Sequence, residues 1–271
     1  MTDARKLALV TGASSGIGFE LAKLLAEDGH DLVIAADGPG IDSAATKLAV
    51  HGRAVHPVRV DLRDPGDVER LYREVSEQPQ PLAVAALNAG TGRAGAFVDG
   101  SLEEDLGIVD LNVRSTVHLA KLVLTDMARR GSGAVLFTSS IVALMPGSHQ
   151  SMYNASKSFV QSFAEALHDE FRDTDITVTA LLPGATDTNF FRRTGMLNTV
   201  LGRLPMKDDP AEVARAGYAA LTHGRHRVVA ASPVSKLAGL GARVLPDSVK
   251  AVANRLITTP RESLSNSASH S

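Results

Sequence analysis

The sequence predicts an α/β fold, a doubly wound parallel sheet with helices on both faces. Strand-like and helix-like segments alternate over the first 190 residues, and polar or glycine-rich loops follow the strands. Such alternation requires helical crossovers between the strands, and crossovers connect parallel strands. The length of 271 residues suits a single α/β domain, which we place at residues 1–258.

Short apolar runs separated by glycine, proline and capping residues define the first half. The apolar run at 7–10 leads through glycines into helical periodicity, which predicts a strand, a tight turn and a helix. Pro57 has no N–H to donate, so it indicates an edge strand or an irregularity. Asp64 and Pro65 are typical of an N-cap and a first helical position. We predict strands at 7–10, 31–36, 54–60 and 82–87, and helices at 19–27, 41–52 and 64–77.

The same alternation continues in the second half. Ser101 to Glu104 have the capping-box pattern and open a long helical segment. Asn112 inside that segment indicates either a solvent-facing position or a local kink. We predict helices at 101–130, 152–172 and 209–221, and strands at 134–137, 176–182 and 227–231.

Three segments follow a different pattern. Residues 189–206 mix aromatic and apolar residues with arginines and glycines, which predicts a lid. Residues 234–257 alternate apolar and basic residues, which predicts two amphipathic helices. Packing on the same domain or on a partner subunit is favoured for them over a membrane surface. Residues 259–271 are small and polar, which predicts a disordered tail.

Composition excludes several classes of function. A net charge of -2 gives no electrostatic reason to expect nucleic acid. The chain has no cysteine, which excludes disulfides, thiolate catalysis and thiolate metal sites. His223 and His226 lack a carboxylate at metal-ligand spacing, so we predict no metal. Neither a signal-peptide core nor an apolar run long enough to span a membrane is present, so a cytoplasmic location is expected.

A glycine-rich turn joins the first predicted strand to the first helix. Gly12, Gly16 and Gly18 allow a tight turn and a close approach of a ligand, and free N–H groups at the helix start attract a pyrophosphate. Asp37, about 20 residues further on, is placed to accept a hydrogen bond from a ribose hydroxyl. The alternative is a plain turn with a loop aspartate.

A pair of potentially reactive side chains lies on the predicted helix at 152–172. Tyr153 and Lys157 are four residues apart, so their side chains lie on one helix face. A nearby ammonium favours tyrosinate and lowers the tyrosine pKa, which makes the pair a plausible proton donor and acceptor. The spacing also occurs by chance in amphipathic helices. However, Ser140 and the glycine turn also follow predicted strands, whose carboxyl ends meet at one edge of the sheet.

Taken together, the motifs resemble the short-chain dehydrogenase/reductase family in its single-domain form. The resemblance covers residues 7 to about 231, and it implies a Rossmann-type fold of seven strands with a nicotinamide cofactor. The residues that carry it are Thr11-Gly12 to Gly18, Asn88-Ala89-Gly90, Asn112, Ser140, Tyr153 with Lys157, and Pro183-Gly184 with Thr188.

The resemblance also implies roles for individual residues. Tyr153 is the catalytic acid or base, and Ser140, rather than its neighbour Ser139, holds the substrate oxygen. Lys157 binds the nicotinamide ribose and lowers the tyrosine pKa, and Asn112 supports a water relay. The implied cofactor-binding residues are Gly12, Ser14, Ser15, Gly16, Ile17, Gly18, Asp37, Asp61, Leu62, Asn88, Ala89, Gly90, Tyr153, Lys157, Pro183, Gly184, Thr186 and Thr188.

Two positions depart from the family pattern. Leu87 stands where the family often has an asparagine before Asn88-Ala89-Gly90. Ala36 occupies the usual acidic position at the end of the second strand, and Asp37 stands where NADP users often carry arginine. A carboxylate there repels a 2′-phosphate, so NAD(H) is expected to be preferred, with NADP(H) as the alternative if Arg59 or Arg63 reaches the site.

The expected function is an NAD(P)-dependent interconversion of a ketone and a secondary alcohol. Candidate substrate residues are mostly apolar, so the substrate is expected to be a lipophilic small molecule. The alternative is a protein that senses the nicotinamide cofactor without turnover. Family members commonly pair the helices equivalent to 101–130 and 152–172, which implies a homodimer or homotetramer. The candidate substrate residues are Ser140, Val142, Leu144, Met145, His149, Tyr153, Phe190, Phe191 and Met196.

Overall fold

The computed structural model describes residues 5–144, 146–186, 194 and 208–230. Seven parallel strands form one sheet in these residues, in the order β3-β2-β1-β4-β5-β6-β7. The strands are β1 (Lys6–Thr11), β2 (His30–Ala36), β3 (Val55–Arg59), β4 (Leu82–Leu87), β5 (Ser132–Thr138), β6 (Asp175–Pro183) and β7 (Arg227–Ala230). The predicted doubly wound parallel sheet is therefore confirmed.

The helices fall into two groups, one on each face of the sheet. One core joins Leu9 and Phe137 of the sheet to the helices at 65–76, 115–130 and 151–170, and the other joins Val10 to the helices at 16–27, 40–48 and 210–222. Successive strand residues point to opposite faces, so the buried strands need apolar side chains at consecutive positions. The helices are α1 (Gly16–Glu27), α2 (Gly40–Leu48), α3 (Pro65–Ser76), α4 (Leu102–Val109), α5 (Ser115–Arg130), α6 (Ser151–Glu170) and α7 (Pro210–Thr222).

The local signals for edges and helix starts are found where they were predicted. β3 pairs only with β2 in the described sheet, and Pro57 lies on that edge opposite Ile34. Asp64 accepts a hydrogen bond from the backbone N–H of Gly66 at 2.7 Å, and Pro65 is the first residue of α3. Ser101 accepts from the backbone N–H of Glu104 at 3.1 Å. These caps satisfy helix N–H groups that have no partner within the helix.

The predicted helix at 101–130 is interrupted in its middle. α4 and α5 are joined by a π-helical turn at Asp110–Arg114, and Asn112 is buried within it. An extra residue in a helical turn rotates the following residues about the helix axis, and such turns are frequent at functional sites. Asn112 therefore marks a local irregularity and does not face solvent.

Several predicted segments lie outside the described residues. They are the lid at 189–206, the amphipathic helices at 234–257 and the tail at 259–271. Within the described part of the chain, no helix has the length and apolar character needed to span a membrane. In the same residues there is no group of three or more histidine, aspartate or glutamate side chains arranged to hold a metal ion.

Candidate active site

The glycine-rich turn lies at the carboxyl end of β1, where the strand order reverses between β1 and β4. Gly12 and Gly16 have positive φ angles of 67° and 61°, which L residues rarely adopt. A Cβ on Gly18 would overlap the carbonyl of Gly12 and lie 2.6 Å from the Asn88 amide nitrogen. The turn thus depends on its glycines, and it presents the first N–H groups of α1, a favourable place for an anion.

Thr11 fixes the glycine turn to the loop that follows β4. Its hydroxyl accepts hydrogen bonds from the backbone N–H groups of Asn88 and Ala89, both at 3.0 Å. The Asn88 amide donates to the carbonyl of Thr11 at 3.1 Å and accepts from the Thr138 hydroxyl at 3.0 Å. Three strand ends are joined in this way, and the local hydrogen bonding forms although Leu87 replaces the usual asparagine.

Asp37 and Asp61 follow β2 and β3 side by side. Val60 donates to the carbonyl of Ala36 at 3.0 Å, which continues the pairing of the two strands to this point. Arg63 binds the carboxylate of Asp61, with Nη2 at 2.6 Å from Oδ2, and these hydrogen bonds lower the pKa of Asp61. Leu62 is buried beneath this loop. The charge of Arg63 is therefore largely compensated by Asp61.

Arg59 reaches the end of β2 from the neighbouring strand. It lies opposite Ala36 in the β2–β3 register, and its Nε donates to the backbone carbonyl of Asp37 at 3.2 Å. The side chain of Asp37 is exposed beside it. Of the two arginines that the sequence offers for a 2′-phosphate, Arg59 therefore reaches the backbone at the end of β2.

Tyr153, Ser140 and Lys157 meet in the interior, beneath the loop that follows β5. The exposed fractions of Tyr153 and Lys157 are 9% and 4%, and the side chains of Ser140 and Tyr153 form a hydrogen bond. The Lys157 ammonium lies 6.0 Å from the centre of the Tyr153 ring and donates to the carbonyl of Thr138 at 2.8 Å. The neighbouring Ser139 instead donates to the carbonyl of Lys157 at 2.7 Å, away from Tyr153.

Burial shifts the pKa values of Tyr153 and Lys157 in opposite directions. Loss of hydration disfavours the charged form, so the pKa of Tyr153 rises to about 12 and the pKa of Lys157 falls to about 8. The hydrogen bond with Ser140 opposes the rise. The expected lowering of the tyrosine pKa by Lys157 is therefore wrong for this structure, because desolvation outweighs a cation that is directed to Thr138.

Three hydrogen bonds to protein groups hold the Asn112 side chain. Its Oδ1 accepts from the Thr91 N–H at 2.9 Å, and its Nδ2 donates to the Thr91 carbonyl and the Ser156 hydroxyl, both at 2.8 Å. Ser156 in turn donates to the carbonyl of Tyr153 at 2.7 Å. The amide therefore connects the π turn, the loop after β4 and α6.

A loop that the sequence analysis did not single out covers Tyr153. A Cβ on Gly92 would lie 2.8 Å from Cδ2 of Tyr153. Ala94, Val142 and Ala185 pack against the same side chain. The surroundings of Tyr153 are therefore apolar, and the available signal in the sequence was a second glycine two residues after Gly90.

Other predicted site residues are distributed around this centre. Pro183 ends β6, Gly184 donates to the carbonyl of Ala230 at 3.1 Å, and Thr186 donates to the carbonyl of Gly184 at 3.1 Å. His149 has a positive φ of 59°, and its carbonyl accepts from the N–H of Gly95 at 2.8 Å. Met145, Thr188, Phe190, Phe191 and Met196 lie outside the described residues.

The family relationship follows from comparison with known proteins. The sequence model of a family described as short chain dehydrogenase matches residues 6–196. The chain belongs to the short-chain dehydrogenase/reductase family. It is therefore an NAD(P)-dependent oxidoreductase, in agreement with the glycine turn and the Tyr153–Lys157 pair on one sheet edge.

Three relatives illustrate the similarity. A short chain dehydrogenase of Pseudocercospora fijiensis is 31% identical over 197 residues, which cover 72% of this chain and 64% of that protein. A Sphingobium yanoikuyae short-chain dehydrogenase in complex with NADPH has a TM-score of 0.77 and 31% identity, covering 88% of this chain and 93% of the other. The bulky-bulky ketone specific alcohol dehydrogenase of Comamonas testosteroni has a TM-score of 0.75 and 26% identity, covering 88% of this chain and 91% of the other.

Proposed function

We propose that the protein interconverts a lipophilic ketone and the corresponding secondary alcohol, with Tyr153 as the proton donor and acceptor. The observation that carries the proposal is the buried hydrogen bond between Tyr153 and Ser140, surrounded by Ala94, Val142 and Ala185. An apolar pocket with a few polar groups favours a lipophilic substrate and fixes its carbonyl. The alternative of a sensor without turnover leaves this pair of hydroxyls without a role.

The arrangement gives each side chain a task in carbonyl reduction. Ser140 donates a hydrogen bond to the substrate oxygen, and Tyr153, whose high pKa keeps it protonated at neutral pH, donates the proton. When bound, the nicotinamide cofactor supplies the hydride or accepts it in the reverse direction. The hydrogen bond from Ser140 favours the tyrosinate that remains after proton transfer, and Lys157 binds the ribose of the nicotinamide cofactor.

The residues of the sheet edge fit a dinucleotide. The N–H groups at the start of α1 suit the pyrophosphate, and Ser14, Ser15 and Ile17 belong to the same turn. Gly90 lies against Lys157, where a Cβ would be 3.0 Å from the ammonium nitrogen, so the glycine keeps the lysine accessible from the loop side. Asp61 and Leu62 are assigned to the adenine, and Pro183, Gly184, Thr186 and Thr188 to the nicotinamide end.

Removing the Tyr153 hydroxyl tests the assignment. The Tyr153→Phe variant is expected to lose about 10²- to 10⁴-fold in turnover and to keep cofactor binding, because only proton transfer is removed. Tyr72→Phe is the matched control, since it removes a half-buried hydroxyl on α3, and it should retain activity. Turnover and cofactor affinity should be measured on the same preparations. Turnover of Tyr153→Phe close to that of the unaltered enzyme would exclude Tyr153 as the acid.

We further propose that NAD(H) is preferred over NADP(H). Asp37 is exposed at the end of β2, where its carboxylate accepts from a ribose hydroxyl and repels a 2′-phosphate. Arg63 is held by Asp61, whereas the guanidinium of Arg59 lies beside Asp37 and moderates this repulsion. Use of NADP(H) at lower efficiency is therefore expected, and the NADPH-bound Sphingobium relative is compatible with it.

Ratios of kcat/KM for the two cofactors with one substrate test the preference. Asp37→Arg should move the ratio toward NADP(H) by at least about tenfold, or about 1.4 kcal/mol, because it replaces repulsion by attraction. Arg59→Gln should move the ratio toward NAD(H), and Arg73→Gln, an exposed control on α3, should leave it unchanged. A tenfold preference of the unaltered enzyme for NADP(H) would show that Asp37 does not control the choice.

We also propose a homodimer or homotetramer assembled through α4, α5 and α6. Large apolar side chains are exposed on these three helices. They would be buried if the helices packed against the same helices of a second subunit. Light scattering over a wide concentration range should give a multiple of the 28.5 kDa chain mass. The Phe159→Glu variant should give a measured mass closer to that of the monomer. The Val50→Glu variant, which changes the opposite part of the domain, should keep the mass of the unaltered protein. The exposed residues are Leu102, Leu106, Val117 and Phe159.

A mass of 28.5 kDa at every concentration would contradict the assembly.

A further inference from the structure

Residues 91–95 form a strap across the reactive tyrosine. Gly92 lies against the Tyr153 ring so closely that no Cβ could be added without movement, and Ala94 packs against the same side chain. The strap therefore forms one wall of the Tyr153 site. The position of this wall decides where the phenol can point.

Arg93, between these two contacts, extends to the opposite side of the strap. Its Nε and Nη2 donate to Oδ1 of Asp105 on α4 at 3.3 and 3.1 Å, and Nη2 lies 3.4 Å from Oδ2. The exposed fractions of the two side chains are 19% and 7%. A Cβ on Gly100 would overlap the guanidinium, so the glycine leaves space for Arg93.

Two further connections hold the ends of the strap. Thr91 exchanges two hydrogen bonds with the Asn112 side chain in the π turn. The N–H of Gly95 donates to the carbonyl of His149, which has a positive φ and precedes α6. These anchors fix the ends, and the Arg93–Asp105 pair fixes the middle, directly beside the two residues that touch Tyr153.

We propose that the Arg93–Asp105 ion pair is a positioning device for Tyr153. It holds Gly92 and Ala94 against the phenol ring, keeps water out and keeps the hydroxyl directed at Ser140. Neither Arg93 nor Asp105 takes part in proton or hydride transfer. This role rests on the proposed function of Tyr153 and adds to it two residues that set its geometry.

The chemistry of the pair suits this role. A buried carboxylate and a partly buried arginine joined by several hydrogen bonds have one strongly preferred geometry, which an apolar contact would not impose. Replacement of one partner leaves a buried charge without compensation, so the strap is expected to move rather than to keep the unpaired charge inside. A displacement of about 1 Å at a reacting group costs about 10²-fold in rate.

The test compares Arg93→Met, Arg93→Lys and Asp105→Asn in the full chain. With acetophenone and NADH as probes, Arg93→Met should lower kcat by about 10- to 100-fold while cofactor affinity changes less than about twofold. Arg93→Lys should recover a large part of kcat, because it restores the cation. Asp105→Asn keeps a hydrogen-bond acceptor, so it should fold if Arg93→Met does not, and it should give a smaller loss in the same direction.

Glu165→Gln is the matched control for a general loss of stability. It breaks the half-buried Glu165–Arg227 pair, which joins α6 to β7 far along the helix from Tyr153. The melting temperature should fall, and kcat should stay within about twofold of the unaltered enzyme. In a Tyr153→Phe background, Arg93→Met should cause no further loss of kcat, since both changes act on the same hydroxyl.

Hydrogen exchange of the cofactor-bound protein gives a readout that needs no substrate. Exchange should increase in peptides covering 91–95 and 149–155 of Arg93→Met and Asp105→Asn, but not of Glu165→Gln. Increased exchange with unchanged kcat would overturn the positioning role and leave the function of Tyr153 intact. Unchanged exchange would show that the pair does not hold the strap. An undiminished kcat of Tyr153→Phe would instead contradict the proposed function itself.

Discussion

All seven strands of the described sheet run in the same direction, and this constraint brings their carboxyl ends to one edge. The glycine turn, the loop after β4, Ser140 and Gly184 follow different strands, yet they lie along that edge. Thr11 makes the arrangement rigid, because its hydroxyl binds two N–H groups of the neighbouring loop. The chemistry of the protein therefore depends on sheet direction first and on individual side chains second.

Burial is the second condition for the chemistry. It makes Tyr153 a weaker acid and Lys157 a stronger one than they are in water, because both charged forms lose hydration. The phenol is therefore protonated at neutral pH, as its proposed role of proton donor requires, and the hydrogen bond from Ser140 favours the tyrosinate left after proton loss. A wall built from distant loop residues creates this environment, so the loop belongs to the functional site as much as α6 does.

The sequence predicts those parts of the structure that depend on neighbours along the chain. The glycine turn, the caps at Asp64 and Ser101 and the four-residue spacing of Tyr153 and Lys157 are local patterns, and they are found as predicted. The Arg93–Asp105 pair and the contact of Arg59 with Asp37 depend on strand register and loop path, which no periodicity records. The direction of the Tyr153 pKa shift does not follow from the sequence, because the four-residue spacing reveals a nearby lysine and not the loss of water.

Activity toward a panel of ketones and secondary alcohols, followed through the absorbance of the nicotinamide cofactor, shows whether the Tyr153 site reduces lipophilic carbonyl compounds. Turnover is expected to be highest for bulky lipophilic members and low for small, highly charged ones, because the groups around Tyr153 are apolar. A preference for small charged substrates would contradict the proposed pocket. Tight cofactor binding with no absorbance change for any compound would contradict the enzymatic role and favour a cofactor sensor.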